Sequence, residues 1–150
     1  MKRIFITIFI MVMSGSVYAG EGMKDVVSKF GFQETLTRLD AEIAAKNLTL
    51  FAKIDHTDGA RKAGLTMLPA TVLIFGNPKG GTPFMVASPK SAIDFPLKAL
   101  VWENAEGKVF VSYNTLDYIV HRHEISGQDA LAKKLDGLLA GIAKAATEPH

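Results

Sequence analysis

The sequence predicts a single α+β domain in which helices pack on a mainly antiparallel sheet. Apolar residues recur with the period of two that marks strands in some segments, and with helical spacing in others. A four-residue connection from Asn104 to Gly107 joins two strand-like segments, as in a β-hairpin. The predicted element order is β-α-β-β-β-α.

The first nineteen residues have the three parts of a secretory signal peptide. Lys2 and Arg3 precede an apolar run from Ile4 to Met13, and small residues end at Ala19. A membrane-spanning helix needs about 20 apolar residues, which this run does not reach. We therefore expect cleavage after Ala19, a periplasmic or secreted domain of residues 20–150, and no stable membrane anchor. A retained N-terminal anchor is the alternative.

Charge and cysteine content exclude several classes of function. The chain has 17 Lys and Arg against 15 Asp and Glu. Cleavage removes Lys2 and Arg3 and no acid, which leaves a formally neutral domain without the basic surface that nucleic acids require. The chain has no cysteine, so disulfides and thiol chemistry are excluded and the core must supply the stability.

The N-terminal half predicts two strands and an amphipathic helix. Met23–Phe30 mixes β-branched and polar residues and predicts a first strand, which Gly31 ends. In the segment Gln33–Lys46, apolar residues recur at helical spacing. A second strand follows, in which alternate residues form one buried face: Leu48, Leu50, Ala52 and Ile54.

The middle of the chain predicts a turn, a short helix, a buried strand and a long ordered loop. The turn is Asp55–Gly59, and the short helix is Ala60–Gly64. Ala70–Phe75 is a continuous apolar run, which is typical of a strand inside a sheet. Gly76–Pro96 holds four of the six prolines. It is therefore expected to be a loop packed on the body, with or without short helical turns, and loops of this length are often functional.

The C-terminal part predicts the hairpin and two helices. The hairpin strands are Leu97–Glu103 and Lys108–Tyr113. Ser126 and Asp129 resemble a capping box that starts the last helix. The apolar face of the first of these helices includes Leu116, Ile119, Val120 and His123, and that of the last helix Leu131, Leu135, Leu138, Leu139 and Ile142.

The stretch FGNPKGGT has the glycine spacing of a phosphate-binding loop but not its chemistry. A lysine must precede the hydroxyl residue in such a loop, whereas here Thr82 follows Gly81 directly. Pro78 removes one backbone N–H, and Pro83 and Pro89 are expected to interrupt any following helix. The stretch is predicted to be a turn that leaves a buried strand.

Three linked segments carry a family resemblance: FAKIDHTDGARKAGLTMLPATVLIF, FGNPKGGTPFM and SAIDFPLKALVWENAEGKVFVSYN. From roughly Lys29 to Gly127 the chain resembles the bacterial domain of unknown function 302. The resemblance implies a TBP-like fold with one curved antiparallel sheet, helices on one side and pairing as a homodimer, but no established reaction. It places these residues at signature positions: Asp55, His56, Gly76, Asn77, Pro78, Gly80, Thr82, Asp94, Pro96, Lys98, Trp102 and Glu103.

The histidines suggest acid–base chemistry or metal binding, each with a simpler alternative. His56 beside Asp55 has the residue types of proton transfer. The turn residues favour the simpler interpretation, in which Asp55 caps the following helix and His56 packs as a partly buried side chain. On a helix the side chains of His121 and His123 point about 200° apart, so they do not readily coordinate the same metal ion. His123 is expected at the core boundary, His121 in solvent, and no metal site is predicted.

Covalent catalysis has no recognisable motif here. Ser88, Ser91 and Thr82 lie in the proline-rich segment, where hydroxyl residues usually shape turns. Lys98 is expected to pair with Asp94 or Glu103 more readily than to act as a nucleophile. Trp102 is expected to anchor a core or an interface.

Two functions remain open. The first is a non-enzymatic, homodimeric module that binds a small ligand or a partner without a cofactor. The second is an enzyme in which His56 is the base, Asp55 or Asp94 orients it, and Lys98 stabilises negative charge. A metal-handling protein is a third alternative. The predicted ligand-binding residues are Asp55, His56, Gly76, Asn77, Pro78, Thr82, Asp94, Lys98 and Glu103.

Overall fold

The structure is a computed structural model, which describes residues 22–149 of the chain. The predicted signal peptide and its cleavage site lie outside the described residues. The strands are β1 (Met23–Val27), β2 (Thr49–Asp55), β3 (Ala70–Gly76), β4 (Leu97–Glu103) and β5 (Val109–Asn114). The helices are α1 (Phe32–Ala45), α2 (His56–Lys62), α3 (Pro78–Ala87), α4 (Leu116–Arg122) and α5 (Asp129–Thr147), with a 3-10 helix at Pro89–Ile93.

The five strands form one antiparallel sheet in the order β1-β5-β4-β3-β2. β4 is therefore the central strand, and β3 lies inside the sheet between β4 and the edge strand β2, as the continuous apolar run of β3 predicts. The predicted α+β class and the β4–β5 hairpin are confirmed, with Gly107 at a φ of 75° in the connection. The predicted order β-α-β-β-β-α contains four strands and two helices, whereas the structure has five strands; it omits α2, α3 and one of the two helices after the hairpin. The residue patterns had predicted five strands, the short helix and both C-terminal helices, but not α3.

One face of the sheet carries the core. Successive residues of a strand point to opposite faces, so Leu73 and Phe75 of β3 share a face with Val101 of β4 and Val111 of β5. All four are fully buried. The predicted apolar stripes of α1 and α5 pack against this face, and their most buried members are Leu39, Ile43, Leu139 and Ile142.

The opposite face of the sheet, here called the open face, is also apolar but less buried. One row across it pairs Ile54 with Val72 and Val72 with Leu100. A second row contains Trp102 and Phe110, whose rings stack with centroids 4.7 Å apart. Ile54 is 44% exposed, and Val72, Leu100 and Trp102 are half-buried.

A polar chain crosses the open face and links three strands. The indole N–H of Trp102 donates to the Ser112 hydroxyl over 2.7 Å, and that hydroxyl donates to Asp25 Oδ1 over 2.5 Å. Asp25 lies on β1, Ser112 on β5 and Trp102 on β4. The edge strand β1 is therefore joined to the centre of the sheet by side chains as well as by its backbone ladder.

The structure corrects the length of the first predicted strand and the buried face of the second. β1 ends at Val27, because Ser28 leaves the strand and its hydroxyl bonds to Thr35 of α1. The single alternating face predicted for β2 is wrong, because the register shifts between Leu50 and Ala52. A bulge of this kind moves later residues to the other face, so Ile54 lies on the open face.

α2 begins four residues earlier than predicted. The Asp55 carboxylate accepts the backbone N–H of Asp58 at 2.9 Å and so caps the helix, which starts at His56. The segment predicted as a turn is therefore the first helical turn.

The long loop predicted for Gly76–Pro96 contains a ten-residue α-helix, α3, with Pro83 inside it. The expectation that Pro83 prevents a helix here is wrong. Pro78 occupies the first helical position, where no N–H is needed, and the Asn77 side chain caps the helix. Pro83 removes only one backbone bond from a helix that also packs through Phe84, which is fully buried.

The predicted capping box of α5 is also wrong. The N-cap residue is Gln128, and no side chain makes a cap hydrogen bond. Gly127 has a φ of 76°, which turns the chain between Ser126 and the helix. Ser126 therefore does not occupy the cap position.

Candidate functional site

An apolar cavity of about 190 Å³ lies between α3, α5 and the adjoining strand ends. The sheet and the segment before β2 contribute Leu48, Phe51, Phe75, Gly76 and Leu97, and the chain before β4 contributes Phe95 and Pro96. The N-cap and helix α3 contribute Asn77, Pro78, Gly80, Gly81, Thr82 and Met85; α5 contributes Leu135, Leu138 and Leu139. Five of the lining residues are exposed, and they are here called its rim: Phe51, Asn77, Pro78, Thr82 and Pro96.

The glycine pair of α3 lets the helix approach its neighbours closely enough to form the cavity wall. A Cβ atom on Gly81 would lie 3.3 Å from Cδ1 of Phe95, and one on Gly80 would lie 3.8 Å from the Leu135 side chain. Phe95 in turn stacks on Phe84 with ring centroids 5.5 Å apart. The glycines therefore serve side-chain packing here.

The N-terminus of α3 has no backbone donor directed at a ligand. Pro78 has no N–H, and the N–H of Lys79 donates to Asn77 Oδ1 at 2.9 Å. The N–H groups of Gly80 and Gly81 both donate to the carbonyl oxygen of Asn77, at 2.9 and 3.1 Å. Phosphate sites at helix N-termini depend on such donors, so the geometry supports the sequence-based argument against a phosphate loop.

Four of the predicted ligand-binding residues line this cavity: Gly76, Asn77, Pro78 and Thr82. The structure does not place the other five among its lining. The aromatic, methionine and leucine residues that form most of the wall were missed as site residues. Their signal in the sequence was the apolar content of the proline-rich segment, which indicated packing but not what the packing encloses.

Asp55 and His56 lie at the other end of the sheet. Asp55 pairs with Thr71 and Thr49 pairs with Gly76, so the length of β3 separates His56 from Asn77. Five residues of strand span about 17 Å at 3.3 Å per residue. His56 is exposed, and the Asp55 carboxylate is engaged in the α2 cap.

Lys98 and Glu103 are also separate from the cavity lining. Lys98 is exposed, and its ammonium donates to the carbonyl oxygens of Asp94 at 3.4 Å and Pro96 at 3.1 Å. The expected ion pair of Lys98 with the Asp94 or Glu103 carboxylate does not form. Glu103 ends β4 near Pro69, whose carbonyl accepts its backbone N–H.

Asp94 pairs with a different histidine from the one predicted. Its Oδ2 atom lies 2.5 Å from Nε2 of His123, and its Oδ1 atom lies 3.3 Å from the Arg122 guanidinium. The side chains of Asp94 and His123 are 12% and 9% exposed. The predicted position of His123 at the core boundary is confirmed. The predicted solvent position of His121 is also confirmed, since its side chain is 77% exposed. Asp94 does not orient His56.

A second, more polar depression lies beside the N-terminus of α4 and includes Lys24, Tyr113, Asp117 and Asp136. The Asp136 carboxylate accepts the backbone N–H groups of Leu116 at 2.6 Å and Asp117 at 3.2 Å, which ties α5 to α4. Burial raises the pKa of the Tyr113 phenol, and the negative charge of Asp136 raises it further. The Asp136 carboxylate is therefore engaged in hydrogen bonds that hold the two helices together.

Within residues 22–149, no three His, Asp or Glu side chains come together in a way that suits a metal ion. The same residues contain no helix that combines the length and the apolar character needed to cross a membrane.

Comparison with known families matches residues 24–142 to the domain of unknown function DUF302. The chain belongs to this family. A crystal structure of an uncharacterized conserved DUF302 protein from Bacillus stearothermophilus superposes with a TM-score of 0.76 at 16% identity, covering 85% of this chain and 99% of that one. That likeness confirms the DUF302 fold and, at this identity, the fold alone.

Two curated relatives carry the name fluoride-specific ion channel FluC 1. The Brucella suis protein is 34% identical over 113 residues, which cover 75% of this chain and 44% of that protein. The Brucella abortus protein has the same identity, with 42% of its length covered. The chain therefore spans less than half the length of these relatives.

Proposed function

We propose that this DUF302 protein is an exported, non-enzymatic module that binds a small molecule in the cavity beside α3. The proposal of export rests on the signal peptide predicted for the first nineteen residues. Binding rests on the cavity, because a concave apolar site with a few polar groups at its rim is the usual form of a small-molecule site. The family signature residues Gly76, Asn77, Pro78, Gly80 and Thr82 all line it.

The placement of the predicted catalytic residues favours binding over catalysis. Acid–base groups must act within hydrogen-bond reach of the same substrate. His56 stands at one end of β3, the cavity stands at the other, and neither Asp55 nor Asp94 is directed at His56. The enzyme alternative therefore lacks the constellation on which it depends.

Ligand binding is tested by mapping backbone amide NMR signals of the purified protein during titration with a small-fragment library. We expect fragments that shift the signals of Gly80, Gly81 and Met85 and leave the indole signal of Trp102, on the open face, unchanged. A library in which no fragment shifts the cavity signals contradicts the proposal.

We further propose that two copies pair through the open face. The support is its apolar surface, which includes Ile54 at 44% and Val27 at 51% exposure. Analytical ultracentrifugation of the wild type, Ile54→Glu and Val86→Glu tests this. Val86 is 76% exposed on α3, and α3 lies beside α5, which packs on the opposite face of the sheet. We expect only Ile54→Glu to be monomeric; a monomeric wild type, or a dimer that persists in Ile54→Glu, contradicts the proposal.

The names of the curated relatives raise fluoride as a ligand, and the cavity chemistry opposes it. An anion transferred into an apolar site needs charged or hydrogen-bonding partners to replace its water. The N–H groups at the start of α3 already have partners. We expect equal melting temperatures in sodium fluoride and sodium chloride at matched ionic strength, and a specific rise in fluoride would contradict this.

A further inference from the structure

We propose that the cavity beside α3 selects an uncharged, largely hydrocarbon molecule about the size of one substituted benzene ring, and rejects anions and cations of the same shape. This inference rests on the proposed binding function and specifies its ligand. Three properties of the cavity support it: its lining, the state of the α3 N-terminus, and its volume.

The lining offers no charge to pair with an ionic ligand. Among the described residues that form the wall, none is acidic or basic; the wall is made by side chains such as Phe51, Phe75, Met85 and Leu138. Moving a carboxylate or an ammonium group into such surroundings without a partner is strongly unfavourable. An apolar ring needs no such partner and gains the free energy of leaving water.

The start of α3 does not compensate for the missing charge. A helix N-terminus attracts anions when its first N–H groups point to solvent. Here the Asn77 side chain and backbone carbonyl accept those of Lys79, Gly80 and Gly81, and Pro78 has none. Binding a phosphate or carboxylate would require breaking these bonds.

The rim permits one neutral polar group on the ligand. The carboxamide oxygen of Asn77 is used in the cap, which leaves its NH₂ group at the exposed rim. Thr82 adds a hydroxyl on the same rim. A hydroxyl or carbonyl group at one end of the ligand would reach these side chains while its ring lies against the apolar wall.

The volume limits the hydrocarbon part to a single ring. The cavity measures about 190 Å³, and an apolar cavity of about 150 Å³ holds benzene. A ring with one short substituent therefore fits, whereas two fused rings with substituents would extend out of the cavity into solvent.

The test compares three probes that share one ring and differ in charge: benzyl alcohol, benzoate and benzylamine. Affinities are measured from amide NMR shifts at neutral pH. We expect benzyl alcohol to bind at least about tenfold more tightly than either ion, which corresponds to about 1.4 kcal/mol. Comparable or tighter binding of benzoate or benzylamine in the cavity overturns the inference but upholds the proposed function. No shift of the cavity signals with any of the three overturns this ligand class, and a fragment library that also fails overturns the proposed function.

Two adjacent residues of α3 provide a matched control for location. Met85→Trp places a large ring in the cavity, whereas Val86→Trp makes the same substitution at a position that is 76% exposed. We expect Met85→Trp to abolish benzyl alcohol binding and Val86→Trp to keep it. If Met85→Trp does not fold, Leu138→Phe fills the cavity from α5. Unchanged binding in a folded cavity-filling variant contradicts the site.

Discussion

The Nε2 atom of His123 lies 2.5 Å from the Oδ2 atom of Asp94, and both side chains are nearly excluded from solvent. This contact joins the end of α4 to the segment that leads into β4. The same segment supplies Phe95 and Pro96 to the cavity wall. The Asp94–His123 pair therefore holds one side of the proposed binding site in place.

Asp94→Ala is expected to lower the free energy of unfolding by about 1–3 kcal/mol, because it leaves the buried His123 ring without its partner. Asp117→Ala is the matched control, since it removes an Asp–His pair whose side chains are 76% and 77% exposed. Exposed pairs contribute about 0.2–1 kcal/mol. Urea denaturation measures the free energy of unfolding of both variants. Equal losses would show that burial does not make the Asp94–His123 pair more stabilising than the exposed pair.

Ser112→Ala is expected to lower the free energy of unfolding by about 1–2 kcal/mol. It removes the hydroxyl that bridges the Trp102 indole and the Asp25 carboxylate. The chain has one tryptophan, so its fluorescence reports directly on the loss of this hydrogen bond. Ser126→Ala, at an exposed position, is the control. A Ser112→Ala protein with wild-type stability and an unchanged emission spectrum would contradict the role of the bridge.

Stability is expected to fall as pH rises above about 10, the ordinary pKa of a tyrosine. Burial, with the Asp136 charge, raises the pKa of Tyr113 in the folded protein. Below the unfolded pKa, both states hold the proton and the contribution is constant. Above it, the unfolded state loses the proton first, so stability is lost as pH rises through the folded pKa.

Tyr113→Phe tests this pH dependence, because it keeps the ring and removes the ionising group. We expect its free energy of unfolding, measured by denaturant titration between pH 8 and 11 at fixed salt, to fall less steeply than that of the wild type. Parallel curves for the two proteins would mean that other groups cause the decline.

The two glycines of α3 are expected to differ in their response to alanine. Alanine is favoured over glycine inside a helix by about 0.5–1 kcal/mol. In Gly80→Ala the new Cβ atom lies an ordinary 3.8 Å from the Leu135 side chain, so this variant should be stabilised by that amount. In Gly81→Ala the new Cβ atom lies 3.3 Å from Phe95, so this variant should be stabilised less or destabilised. Thermal unfolding ranks the two variants, and the reverse order would contradict the packing described for Gly81.

Local patterns in the sequence were sufficient for most of the fold. The helical spacing in α1 and α5, the apolar run of β3 and the β4–β5 hairpin each predicted the observed element, because each depends on residues close together in the chain. Family membership followed from linked motifs of the same local kind. The errors arose where local rules compete, as in α3, where helix packing and a good N-cap outweigh the internal proline.

The sequence by itself determined the fold class, the family and the cysteine-free composition that excludes thiol chemistry. Only the tertiary structure decided which side chains meet. Asp94 and His123 are 29 residues apart in the chain, and Asp25 and Ser112 are 87 apart. The cavity likewise needs α3 and α5 together. Spacing along the chain does not encode such contacts, because they depend on how the helices and strands pack together in three dimensions.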